Sequence, residues 1–352
     1  MIDLRDAAAL RAADPSGMLT DVLGTPAQLQ TARADALARK AELPTRASRI
    51  VYLGMGGSGI AGDALKALAA PSAPMPVEVV KDYALPAFAT GADTLVIACS
   101  YSGNTEETLE GFDQARKRGC TIVAITGGGE LARRAHDAGI TVLDAPAGIQ
   151  PRAAFPSLLA ATLTIGEAAG ALEPLDAAFA DACTALSESC ADAQPSNDGG
   201  FPNTLATRFH GKHVHIWGMN DLAGVVAGRW RAQIQENAKA PASNANLPEL
   251  DHNEIMGYDP GEVTLKDSCL VVLRHDLEHP RVALRAEITL ELVKARIGES
   301  IMVRTHAPGA LATMLDLIVT GDLASVYLAY RRGIDPSPVP NIQTLKQRLA
   351  DS

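Results

Sequence analysis

An acid and an imidazole stand close together in the run Gln235 to Gly257, QENAKAPASNANLPELDHNEIMG. Glu236 ends an apolar, helix-like stretch, and His252 follows a segment rich in Pro, Asn and Ala that reads as a structured loop. A shielded carboxylate and a histidine carried on such a loop are groups that proton transfer requires. Local pattern alone favours a plainer reading of the same run, a helix end followed by a polar surface loop.

Two turns far upstream add a second kind of chemistry. The apolar run Arg49 to Leu53 leads directly into Gly54-Met55-Gly56-Gly57-Ser58-Gly59 and a helical pattern, so backbone N–H groups can face an anion. Gly54, Gly56 and Gly59 also fit a dinucleotide fingerprint, and Glu78 lies near the place of its ribose-binding acid, which keeps a dinucleotide enzyme as a rival. After Thr94 to Cys99 comes Ser100-Tyr101-Ser102-Gly103-Asn104-Thr105-Glu106-Glu107-Thr108. Its hydroxyls, Ser100, Ser102 and Thr105, occupy a strand end and helix start, where free N–H groups and the helix dipole favour a phosphate. A helix cap needs one hydroxyl, and three are present.

Arg152 is the charge that opens the apolar helix following Pro151; it serves either a surface ion pair or a planar anion such as an enediolate. Lys346, on the final helix, is either a solvated lysine or the cation completing an anionic pocket.

The elements that must hold these groups alternate. Strand patterns at 49–53, 94–99, 121–126 and 140–143 are separated by helical ones, which implies a parallel sheet covered on both faces and a ligand at the carboxyl ends of its strands. The pattern restarts at Val214-His215-Ile216-Trp217-Gly218-Met219, followed by a helix over 221–240 and strands near 269–273 and 301–303. This is an internal duplication in which the second copy keeps ENAK and DHNE but not the serine turns. Residues 1–45 form a helical segment, 46–193 one domain and 201–352 a second, with Gln194 to Gly200 as the linker. A net charge of −10 argues against nucleic acid. Five scattered cysteines, Cys99, Cys120, Cys183, Cys190 and Cys269, suit a reducing cytoplasm and provide neither a zinc site nor a disulfide framework. The charged N-terminus lacks a signal core, and the longest uncharged run, Ala153 to Gly166, is too short for a bilayer, so no membrane partner is expected.

Taken together, GMGGSG, SYSGNTEET, PRAAF, QENAK and DHNE resemble the bifunctional phosphoglucose/phosphomannose isomerases, a branch of the phosphoglucose isomerase superfamily, from about Arg49 to Leu349. The resemblance implies an α/β chain of two doubly wound, flavodoxin-like parallel-sheet domains of the sugar isomerase (SIS) type with flanking helices. It implies interconversion of fructose 6-phosphate with glucose 6-phosphate and mannose 6-phosphate, with no cofactor or metal. Gly57, Ser58, Ser100, Ser102 and Thr105 would bind the phosphate, and Glu236 would shuttle a proton between C2 and C1. Arg152 would stabilise the enediolate, while His252, supplied by the other subunit of a homodimer, and Lys346 would assist ring opening. Ser337 is the candidate for accepting both C2 epimers. A non-catalytic phosphosugar sensor is the competing reading; it needs the serine turns but has no use for Glu236 and His252. A further rival is an isomerase of another phosphosugar.

Overall fold

The computed structural model describes residues 2–219, 222–258 and 265–351. Its first sheet contains β1 (Arg49–Leu53), β2 (Val77–Val80), β3 (Thr94–Ser100), β4 (Thr121–Thr126) and β5 (Thr141–Asp144), in the order β2-β1-β3-β4-β5. Every neighbouring pair is parallel. The period-two alternation of β1 explains why both faces are covered. Ile50 and Tyr52 join a core with Ala61, Leu65 and Leu158, from the helices Gly56–Ala69 and Phe155–Ala168. Val51 and Leu53 join another with Phe112 and Leu131, from the helices Glu106–Lys117 and Gly129–Asp137. β3 is buried along its whole length, as a central parallel strand should be.

The second sheet contains β6 (His213–Met219), β7 (Ala242–Leu247), β8 (Leu265–His275) and β9 (Ile297–Thr305), all parallel in the order β7-β6-β8-β9. The duplication is thus visible in topology. In each sheet the first strand lies second in the order, so the chain turns outward in opposite directions on its two sides. Such a switch point opens a crevice beyond the strand ends.

Two strands escaped the sequence patterns. β2 has four residues, and β7 falls within the Pro-, Asn- and Ala-rich stretch expected to be a loop. β7 is an edge strand whose four central residues are only half-buried, so it needs neither alternation nor branched side chains. The helix expected over 221–240 is found at Leu222–Ala238, with Asp221 outside the described residues.

The helix Gly309–Arg331 has 23 residues and is long and apolar enough to cross a membrane, yet it is buried within the protein. Trp230 Nε1 donates to Leu317 O at 2.8 Å, and a Cβ at Gly321 would come within 2.1 Å of that nitrogen. These two helices therefore pack at a distance only glycine permits, and one continuous core runs from the first sheet into the second.

Candidate active site

The site is built where the turns after β1 and β3 meet. Ser58 Oγ accepts from Tyr101 N at 3.2 Å, and Ser100 Oγ and Thr105 Oγ1 are 2.8 Å apart. Ser102 Oγ accepts from Asn104 N at 3.2 Å. Ser58 and Ser100 are buried, and Ser102 is exposed. The two helices that start here, Gly56–Ala69 and Glu106–Lys117, have no side-chain cap. The hydroxyls therefore do not serve as ordinary caps, and the first-turn N–H groups remain without a side-chain acceptor. The loop after β3 is held by bare backbone: Gly103 has φ +68°, and a Cβ there would lie 1.8 Å from Gly128 O.

Gly57 joins this turn to the next charge. A Cβ at Gly57 would meet Arg152 Cα at 3.3 Å, so the backbone of Pro151-Arg152 lies against the glycine turn. Arg152 is buried, and its bonds reach into the second half of the chain. Its Nε donates to Asn237 Oδ1 at 2.6 Å, and its Nη2 donates to Pro336 O at 2.7 Å and Ser337 O at 2.9 Å. Its own carbonyl accepts from Arg229 Nη2 at 3.0 Å. Arg229 is buried, paired with Asp322 at 2.6 Å and stacked 4.3 Å from the Phe155 ring centroid. Burial is the largest influence on the Arg152 guanidinium and pulls it below its ordinary range, while Glu236 acts in the opposite direction.

Glu236 lies in the last turn of Leu222–Ala238, with its Oε2 3.9 Å from Arg152 Nη1. That is an ion pair too long for a hydrogen bond, and the Glu236 carboxylate has no hydrogen bond to any of the described residues. Its side chain is 30 % exposed, so the carboxylate is open to a ligand. Lys239 follows the helix with φ +49°, a left-handed position that usually takes glycine and costs a lysine about 1–2 kcal/mol. Its Nζ donates to Asn237 O at 3.2 Å, Asp335 O at 2.9 Å and Pro336 O at 2.8 Å.

Glu236, Arg152 and Gly57 line one cleft of about 780 Å³ between the helices Gly56–Ala69 and Leu222–Ala238. Ser337 is buried beside Arg152, and its Oγ has no hydrogen-bond partner. Ser58, Ser100, Ser102 and Thr105 sit in the adjoining turns without lining that cleft. Two expected residues lie apart from it: His252 is exposed after β7, and Lys346 is exposed on the helix Pro340–Ala350. Glu78 is near the start of β2 rather than at its carboxyl end, and its carboxylate pairs with Lys66 Nζ at 3.0 Å, so it does not suit a ribose. Sequence reasoning gave no role to Asn237, Lys239, Arg229 or Asp322. Asn237 and Lys239 flank Glu236 within the ENAK motif itself, and that adjacency was the available signal.

Residues 45–171 match the model of the SIS domain, and residues 202–349 match that of the bacterial phospho-glucose isomerase C-terminal SIS domain. A curated bifunctional phosphoglucose/phosphomannose isomerase of Caldicellulosiruptor bescii is 35 % identical over 95 % of this chain and 99 % of its own length. The chain belongs to this isomerase family. Another member, from Aquifex aeolicus, is 37 % identical over 85 % of this chain and 90 % of its own. Among solved structures, a hypothetical protein of Thermus thermophilus superposes with a TM-score of 0.74 at 18 % identity, covering 99 % of this chain and 93 % of that one. That likeness speaks for the fold. The family's two SIS domains correspond to the two parallel sheets.

Proposed function

We propose that the chain interconverts fructose 6-phosphate with glucose 6-phosphate and mannose 6-phosphate through a cis-enediolate. The observation that carries this reading is the unbonded Glu236 carboxylate 3.9 Å from a buried Arg152, in a cleft reached by the Gly57 turn. The uncapped N–H groups and the hydroxyls of Ser58, Ser100, Ser102 and Thr105 hold the phosphate. From the open-chain ketose, Glu236 takes a proton from C1. The C–H electrons form the C1–C2 double bond, and the carbonyl oxygen becomes an oxyanion facing Arg152. The hydroxyl proton on O1 passes to O2, and as O1 forms the carbonyl at C1 the double-bond electrons take the proton back from Glu236 at C2. The face protonated decides between glucose and mannose 6-phosphate, and Ser337 is our candidate for the residue that admits both outcomes.

We assign ring opening to Lys346 and to His252 of a second copy. Asp251, which precedes His252, is bonded to Arg285 at 3.0 Å and Thr289 at 2.7 Å, so the histidine is seated on the helix Pro280–Val293. That helix exposes Leu284, Ile288 and Leu292 at four-residue steps, and the helix bearing Lys346 exposes Ile342, Leu345 and Leu349. Unpartnered apolar stripes beside both distant residues support a homodimer. We take 1–45, 46–193 and 201–352 as the chain's units, with the cleft between the second and third.

The test is a coupled assay with fructose 6-phosphate on metal-stripped protein, scoring both aldose phosphates separately. Glu236→Gln is expected to keep sugar-phosphate binding and to lose turnover by about 10² to 10⁴. Isomerisation retained in that variant would overturn the assignment. Binding without turnover in the unaltered protein would favour a sensor.

A further inference from the structure

The gap between Arg152 and Glu236 needs a cause. Two opposite charges in a partly dry cleft attract, and nothing between their own side chains prevents the guanidinium from closing on the carboxylate. Such a closed pair would occupy the lone pairs that must receive the carbon-bound proton and would hold the carboxylate too strongly ionised to act as a good base.

Arg152 is instead drawn to the other side. Both Nη2 bonds go to the carbonyls of Pro336 and Ser337, and Nε is bound by Asn237, whose own amide nitrogen donates to Ser325 Oγ at 2.9 Å. The Pro336 carbonyl is shared, accepting from Arg152 at 2.7 Å and from Lys239 at 2.8 Å. Lys239 also bonds the carbonyl of Asp335, so its ammonium fastens the start of this segment to the helix end that carries Glu236. The charges acting on Arg152 are Glu236, Arg229 and Asp335, and those acting on Lys239 are Arg152, Asp335 and Glu236. Lys239 thus brings another cation beside Arg152, with the Pro336 carbonyl between them and the carboxylates of Asp335 and Glu236 offsetting the repulsion.

We propose that Lys239 is a positioning residue that keeps Arg152 off Glu236 by clamping the Asp335–Ser337 carbonyls on which the guanidinium rests. Its catalytic consequence rests on the isomerase reading above, whereas the clamp itself does not.

The experiment uses the full chain and has two readouts. In Lys239→Met, hydrogen exchange at the Asp335 and Ser337 amides is expected to rise about tenfold while exchange in β1 and β3 is unchanged. Unchanged exchange at 335–337 would overturn the clamp whatever the substrate. On fructose 6-phosphate the same variant is expected to lose about 10- to 100-fold in kcat with KM altered less than about threefold. In an Arg152→Lys background the Lys239→Met step should cost less than about threefold in kcat. Full additivity of the two losses would overturn action through Arg152. No turnover in the unaltered protein would instead reject the isomerase reading and leave the exchange result to decide the clamp.

Discussion

Thr105 has one hydroxyl partner in the protein as it stands and, on the proposed reading, would gain another from the ligand. Its Oγ1 lies 2.8 Å from Ser100 Oγ, yet it does not cap the helix that begins beside it. A phosphate at that helix start would receive a charge-assisted bond from the hydroxyl, a type of bond worth roughly 1.5–3 kcal/mol. Thr105→Ala is therefore expected to raise KM for fructose 6-phosphate by about 10- to 100-fold with kcat nearly unchanged. A fall in kcat at constant KM, measured by initial rates, would contradict the phosphate role. At this scale the sequence was informative where chemistry is written in residue types: Glu236, Arg152 and Gly57 share a cleft, and Ser58, Ser100, Ser102 and Thr105 share adjoining turns. It was silent on Arg229 and Asp322, because they are each other's partners across a long stretch of chain and nothing in their own neighbourhoods marks them, while Lys239 was marked only by its place in the ENAK motif.

The element that positions the hydroxyls is the loop after β3, and its shape depends on glycine. Gly103 occupies the left-handed region, and a Cβ there would overlap the Gly128 carbonyl. Leu131 N reaches back to Gly103 O at 2.9 Å, and Glu130 N bonds Asn104 Oδ1 at 3.0 Å, so the loop and the next helix start form one unit. Gly103→Ala is expected to destabilise the fold by about 2–4 kcal/mol, combining backbone strain with a steric clash. Urea unfolding would measure this, and a loss below about 0.5 kcal/mol, the range of an ordinary surface change, would refute it. β1 and β3, written around unbroken apolar runs, and the long helix carrying Glu236 were legible in the sequence. β7 was not, because Ala-Ser-Asn-Ala-Asn-Leu owes its extended form to pairing with β6 rather than to its own preferences.

For the whole molecule, the duplication could be read from the repeated strand–helix pattern, but the way the halves interlock could not. Among the described residues the two copies differ in strand number, five against four, and in what they carry: hydroxyl turns in the first, Glu236 and His252 in the second. His252 and Lys346 lie outside the cleft, so the action proposed for them would require either a second subunit or a change in the position of the final helix. If His252 acts across an interface, an equimolar mixture of Glu236→Gln and His252→Ala protein should recover up to about a quarter of the unaltered activity, since about half of the dimers are mixed and one of the two sites in each is intact. Activity that stays at the level of the separate variants, under conditions where subunits exchange, would place His252 in the same chain as its Glu236.

Arg152 has a further consequence through its anchorage. Its peptide belongs to the segment following the first sheet, yet every group its guanidinium donates to, Asn237, Pro336 and Ser337, comes from the second half. A chain clipped before Pro336, or one whose second half has not yet docked, can still form the hydroxyl turns while lacking a seated charge beside them. If the hydroxyl turns hold the phosphate as proposed, holding a phosphosugar and rearranging it depend on different halves of the chain, and a copy whose second half is not seated would bind ligand without turning it over.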